Sequence, residues 1–187
     1  MSKLETNTID TVSGTTNLTI GSTNTSTVTF ENGAATGHMY PAFKAYNETT
    51  QNLSDDTFTK VVFATEVFDT NNCFDNSTNY RFTPTIAGKY FVFSQLTLNS
   101  SANTSLAYCN ALIYKNGSST FDGNLNHRMD FNATANYTKS NAFTISSIID
   151  MNGSSDYLEI FARMNVTSGT PSISNDQSQF SAYRIGA

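Results

Sequence analysis

The sequence predicts an all-β fold, a sandwich or jelly roll of about eight to ten strands. Three observations carry that expectation. Phe (14) and Tyr (9) are frequent and Trp is absent; with abundant Thr they favour pleated, half-buried surfaces, while Asn, Ser and Gly favour turns. Charged residues make up only 13% of the 187-residue chain, against roughly 25% in ordinary soluble domains. No segment sustains helical periodicity, whereas short β-like runs recur between turn residues. The length admits one ordinary domain and an appendage, and about 150 residues of β structure bury a core without disulfides or metals.

The first 36 residues differ from the rest. Apolar residues there come in spaced pairs, Ile9 with Val12, Leu18 with Ile20, and Val28 with Phe30. Thr16–Ile20 and Ser26–Phe30 align as a repeat ten residues apart. Each is a brief alternating strand with one small apolar face. Such a face buries too little area to offset an ordering cost of about 1–2 kcal/mol per residue. The segment is therefore either disordered or shares its apolar stripe with other copies around one axis. We favour the second alternative, in which those six residues form the core of a thin intertwined β shaft. Gly33, Gly37 and Pro41 mark a boundary, giving two regions, 1–36 and 37–187.

Beyond the boundary the expected strands follow in order. Pro41–Tyr46 is short and extended, and Phe58–Phe63 is the next run. Tyr80–Thr83 leads through Pro84 and an Ala87-Gly88 turn into Lys89–Leu98, which is long and strongly β. Leu106–Tyr114 ends at Lys115-Asn116-Gly117, and Phe143–Met151 ends at Asn152-Gly153. Asn-Gly between such runs predicts a hairpin, because both residues tolerate positive φ. Tyr157–Met164 and Phe180–Ile185 complete the set. Tyr90, Phe91 and Phe93 crowd one strand. They could form a sugar-binding platform, but burial in a core or intersubunit contact is the stronger reading of a contiguous apolar strand.

Composition also excludes function classes. A net charge of −5 and a pI of about 4.8 come with no basic stripe that could follow a phosphate backbone, so no nucleic-acid partner is expected. No apolar run reaches the ~18 residues that span a bilayer, and the opening residues hold no signal-peptide core; neither membrane insertion nor Sec export is expected. Cys73 and Cys109 read as free thiols. The many Asn-x-Ser/Thr triplets, among them Asn17, Asn76, Asn103 and Asn165, read as chance products of the composition.

Catalytic patterns are missing: there is no Gly-x-Ser-x-Gly, His-Glu-x-x-His or phosphate loop. His38 and His127 are expected in exposed loops rather than at a metal. Asp69 to Asp75 carries alternate oxygen side chains but lacks the central Gly and distal Glu of a calcium loop. Asp55-Asp56 has no second partner for glycosidase chemistry and reads as a polar turn. The expectation is a non-enzyme without cofactor or metal. Polar loops at Asn99–Ser105 and Asn132–Tyr137 suit adaptable contacts at a binding surface.

From residue 58 onward, three blocks resemble the globular head of the C1q/TNF family. Phe68-Asp69 and Phe74–Pro84 resemble the family's Tyr-Asp-x-x-Thr-Gly-x-Phe stretch, and Pro84–Phe93 its Pro-x-x-Gly-x-Tyr-x-Phe continuation. Tyr114-Lys115-Asn116-Gly117 is similar to its Lys-Asn-Gly hairpin, and Phe180–Ile185 to its closing strand. The resemblance implies a jelly roll of about ten strands that packs as a homotrimer. It places Tyr80, Phe82, Tyr90, Phe91, Phe93, Phe161, Phe180 and Tyr183 in the head core or trimer interface. The chain departs from the family at Asn152–Tyr157, where a longer turn replaces Gly-Asp-x-Val, and it has no Gly-X-Y stalk. Met1–Gly21 resembles the opening of short virion proteins of marine tailed phages, in which an anchor and a thin trimeric shaft precede a variable head.

These readings give the expectation of a homotrimeric virion surface protein. Residues 1–12 would attach to other virion proteins, 13–36 would form the shaft, and 37–187 would form a C1q-like head. As a short tail fibre or spike it would contact a host-surface glycan. On the capsid exterior it would be a decoration or head fibre with a stabilising or weak-adsorption role. A secreted C1q-like lectin or ligand of a cell is the alternative of another class. The sequence assigns no receptor-binding residues.

Overall fold

The computed structural model describes residues 40–103, 105–119, 126–131 and 138–186. The chain divides into two units, Met1–Thr36 and Gly37–Ala187, and every described residue belongs to the second. The anchor and shaft expected over 1–36 lie outside the described residues, as do His38 and Asn132–Tyr137.

Two antiparallel sheets make up the described fold, without helices. The spine of the seven-stranded sheet is β7 (Gly88–Ser100). One edge of β7 pairs with β10 (Ser140–Met151). Its other edge is shared by β13 (Gln179–Gly186) and β12 (Pro171–Ile173). Beyond β13 lie β1 (Ala42–Tyr46) and β4 (Thr65–Asp69), and beyond β12 lies β2 (Gln51–Asn52). The six-stranded sheet centres on β11 (Leu158–Val166) and β8 (Leu106–Lys115). Outside β8 lies β9 (Asn126–Asp130), and outside β11 lie β3 (Thr59–Lys60) and β6 (Arg81–Phe82), the latter paired with β5 (Phe74–Asp75).

Thirteen strands appear among the described residues, against about ten expected. Four of them, β2, β3, β5 and β6, are two-residue pairings that side-chain pattern does not mark. The Phe58–Phe63 run pairs only at Thr59–Lys60, yet Val61 and Phe63 are fully buried. The two Asn-Gly turns diverge. Asn116 (φ 54°) and Gly117 (φ 76°) both adopt positive φ, and Lys115 and Ser118 exchange backbone hydrogen bonds, as in a tight hairpin. At Asn152-Gly153 only the glycine does so (φ 71°). This turn carries the chain from β10 in one sheet to β11 in the other, so the hairpin expected there is corrected to a crossover. Asn152 Oδ1 accepts from the backbone N–H groups of Ser154, Ser155 and Asp156 at 2.9–3.0 Å, which curls the turn. A Cβ on Gly153 would collide with the backbone of Ala87, so glycine is required where the two turns touch.

Alternation along β7 sends Tyr90, Val92, Leu96 and Leu98 into the space between the sheets, all fully buried. The rings there come from both layers. Phe43 of the seven-stranded sheet stacks on Phe74 (centroids 4.5 Å apart) and Phe82 (4.7 Å) of the six-stranded sheet, and meets Phe180 edge-on at 4.9 Å. Phe82 meets Tyr90 edge-on at 5.5 Å. The Tyr90 hydroxyl, the one polar atom of this group, donates to Ile86 O at 2.7 Å.

At one end of the sandwich, Asp156 ties the two turns together. Its Oδ1 accepts from Asn116 Nδ2 at 2.8 Å, and its Oδ2 accepts from Asn152 N and pairs with Lys115 Nζ, both at 3.0 Å. Burial alone would raise its pKa; the Asn116 amide, Lys115 and the Asn152 N–H outweigh burial and hold it below the ordinary 3.8.

Phe43→Ala should cost about 3–5 kcal/mol in urea unfolding. Asp156→Asn should destabilise at neutral pH. Because the native-state pKa is depressed, the carboxylate's contribution is complete above the ordinary value of 3.8 and fades as pH falls through the folded value. The gap between wild type and variant in thermal melts should therefore narrow below pH about 4.

Candidate functional site

Residues opposite one another in a ladder share a face, so the register gives the outer surface of the seven-stranded sheet row by row. Ile148, Phe91 and Tyr183 form one row across β10, β7 and β13. Ser146, Phe93, Ser181, Lys44 and Phe68 form the next, extending to β1 and β4. Ile148 is 56% exposed, Phe68 48% and Tyr183 36%. Phe91 and Phe93 are half-buried, and the Phe91 ring rests 5.5 Å from that of Tyr183. Ile185 and Val67 extend the apolar surface. Lys44 is the charged residue of these two rows; the Lys89–Asp150 pair (3.1 Å) stands at the margin.

The residues singled out from sequence divide three ways. Phe82, Tyr90 and Phe180 are fully buried between the sheets. Phe91, Phe93 and Tyr183 lie on the outer face just described. Phe161 is on the outer face of the other sheet, stacked on Tyr114 at 4.0 Å, and Tyr80 is half-buried at φ 50° beside β6. Ile148 and Phe68 were not singled out. The adjacency of Ile148 and Ile149 carried a usable signal, because neighbouring strand residues face opposite ways and one of the two must point outward.

Groups with chemical potential are committed elsewhere. Asp69 accepts from Asn71 N and Phe74 N, and Asp75 from the backbone N–H groups of Ser77, Thr78 and Asn79. Those N–H groups hold the Asp75 carboxyl well below the usual range. Asp56 pairs with Arg163 Nη2 at 2.6 Å, and Asp55 accepts from Val166 N at 2.8 Å. His127 lies on β9 rather than in the expected loop, and its Nδ1–H donates to Thr144 O on the opposite sheet at 2.7 Å. Among the described residues no three His, Cys, Asp or Glu side chains are grouped to hold a metal. Three asparagines of Asn-x-Ser/Thr triplets are also engaged: Asn47 is buried, and the Asn116 and Asn152 side chains bind within the turns.

Cys73 and Cys109 are buried free thiols. Burial raises both, and Cys109 is pushed up to about 11, so little nucleophilic thiolate exists at neutral pH. Neither thiol should react with iodoacetamide at pH 8 in the folded chain, and both should react in urea, as mass spectrometry would read.

The fold and its open face define the class: an all-β jelly-roll domain of the TNF-like type. Similar solved structures include Eiger TNF from S. frugiperda, with a TM-score of 0.53 and 12% identity, covering 79% of this chain and 94% of that one. Murine APRIL at pH 8.0 has a TM-score of 0.53 and 10% identity, with 77% and 98% covered. At these identities the likeness is one of fold. No protein-family profile and no curated protein sequence matches the chain.

Proposed function

We propose that the chain is the protomer of a homotrimeric surface protein of a tailed-phage particle, a short fibre or spike whose C1q-like head meets a glycan of the host surface. The observation that carries the oligomer is the row Ile148, Phe91, Tyr183. A contiguous apolar face of this kind is rare on a monomeric soluble protein and marks an interaction surface. A further copy of the same chain is the most economical cover, since homo-oligomers with closed symmetry are the rule. The resemblance to the C1q/TNF head favours three copies. The resemblance of Met1–Gly21 to phage virion proteins supports the particle. Three heads on one axis would turn a weak contact into a strong one through avidity.

Native mass spectrometry should give three times 20.4 kDa. Ile148→Asp or Tyr183→Asp should reduce this to the monomer mass while changing monomer stability by only about 0.5 kcal/mol, because these side chains lie outside the sandwich core. A wild-type monomer would sink the oligomer. Gold-labelled antibody on purified particles should mark the tail. Label over the capsid would instead make the chain a capsid decoration, and absence of label would discard the particle in favour of a secreted ligand.

A further inference from the structure

The outer face of the six-stranded sheet, which the contact proposed between copies leaves free, holds a buried polar atom that the fold does not satisfy. Along β8, Cys109 and Ala111 point into the core, so Tyr108, Asn110 and Leu112 lie on the outer side. Asn110 is 2% exposed. Its Nδ2 donates to Asn126 Oδ1 at 3.0 Å, but its Oδ1 accepts from nothing. Among the described residues it is the only buried side-chain nitrogen or oxygen without a partner. An acceptor buried and left open costs its full desolvation, so the position calls for a donor from outside the chain.

The register sets two guanidiniums beside this atom. Asn110 stands opposite Arg163 of β11 on one side and Arg128 of β9 on the other. Neither donates to Asn110 Oδ1. Both lie over the Tyr108 ring instead, Arg128 at 4.2 Å and Arg163 at 5.3 Å. Each is held there by a carboxylate, Asp130 at 2.9 Å from Arg128 and Asp56 at 2.6 Å from Arg163. The Arg128 and Asp130 side chains are 46% and 45% exposed, and an ion pair so exposed is a weak tether. Little therefore holds Arg128 in place beside Asn110.

These neighbours restrict the donor. An ammonium or guanidinium would be repelled by Arg128 and Arg163. A sulfate or carboxylate has no proton to give, and Asp56 and Asp130 oppose it. A hydroxyl carries no charge, donates to Asn110 Oδ1 and accepts from a guanidinium at the same time. Tyr108 and Phe58, the latter 36% exposed with Arg163 at 5.3 Å, add aromatic surface for a C–H face. We propose that Asn110 and the two arginine–aspartate pairs around it take one uncharged sugar ring of a glycan, with a ring hydroxyl donating to Asn110 Oδ1. This names the attachment site of the reading given above and rests on it. The site lies on the sheet away from the contact between copies, so each copy in the oligomer presents one.

The test uses the full-length protein with the methyl glycosides of glucose, galactose, mannose and N-acetylglucosamine, and with methyl glucuronide as the charged comparison, by saturation-transfer NMR and calorimetry. At least one neutral glycoside should bind with millimolar affinity, and the glucuronide more weakly. Asn110→Leu keeps the approximate size of the side chain and should weaken binding about tenfold, the scale of a lost hydrogen-bonding group. Its melting temperature should not fall, because the variant removes an unsatisfied atom. Arg128→Gln, at an exposed position, should weaken binding as well. No binding of any neutral glycoside by the folded wild type overturns the proposal and leaves an ordered water as the partner of Asn110. Binding unchanged in both variants, or tighter binding of the glucuronide, also overturns it. A chain found on particles that binds none of the sugars sinks the site alone. A chain absent from particles that binds a sugar through Asn110 sinks the particle alone and keeps the site.

Discussion

The stacking of Phe43 between the two layers is the contact on which the rest of the domain depends. A sheet alone leaves one apolar face uncovered, and two sheets hold together only where their inner faces interlock. Phe43 and Phe180 come from one sheet and Phe74 and Phe82 from the other, and their rings meet at centroid distances of 4.5–5.9 Å. Two of these four rings sit on strands of only two residues, β5 and β6. Those pairings have little ladder of their own, so packing against Phe43, together with the turns held by Asp69 and Asp75, fixes the chain between β4 and β7. The turns then follow: β6 must cross to the other sheet to begin β7, and β10 must cross back to begin β11.

With the inner faces spent on one another, the two outer faces are left, and they are finished differently. The six-stranded sheet covers its own surface. Arg128 lies over the Tyr108 ring at 4.2 Å and pairs with Asp130, while Arg163 reaches Tyr108 and Phe58 at 5.3 Å and pairs with Asp56. Lys60 pairs with the nearly buried Glu159. Long cationic side chains thus shield the aromatics and are themselves neutralised. Among the described residues no such cation lies over Ile148, Phe91 and Tyr183 of the seven-stranded sheet. The asymmetry is the physical basis on which we propose the seven-stranded sheet as the contact between copies.

The polar chemistry of the chain is used mainly to shape the backbone. Asp69, Asp75, Asn47, Asn152 and Asp156 all accept or donate hydrogen bonds that hold turns, so both carboxylates of the Asp69–Asp75 segment are engaged by backbone N–H groups. An Asn-rich, charge-poor composition suits such a role, because amides and short carboxylates satisfy backbone N–H groups locally.

How much was legible in advance differs by element. The long strands β7, β8, β10, β11 and β13 lie within a few residues of where the run of Phe, Tyr, Ile and Leu puts them, because a sustained β-like run between turn residues is a local property. The all-β class followed from the same patterns, and the jelly-roll architecture from the ordered blocks between residues 58 and 185. The two-residue strands, β9 and the partnership of each strand were not legible. A pairing of Phe74 with Phe82, or of β7 with β10 rather than β8, is decided by contacts far apart in the chain. The same holds for the eight aromatics singled out from sequence: the C1q/TNF resemblance marked them as core or interface anchors, but only the register decided that Tyr90 faces inward and Phe91 outward. Sequence alone determined which residues needed burial; tertiary structure decided which sheet buried them and which face remained open, because that choice belongs to strand pairing and not to any single strand.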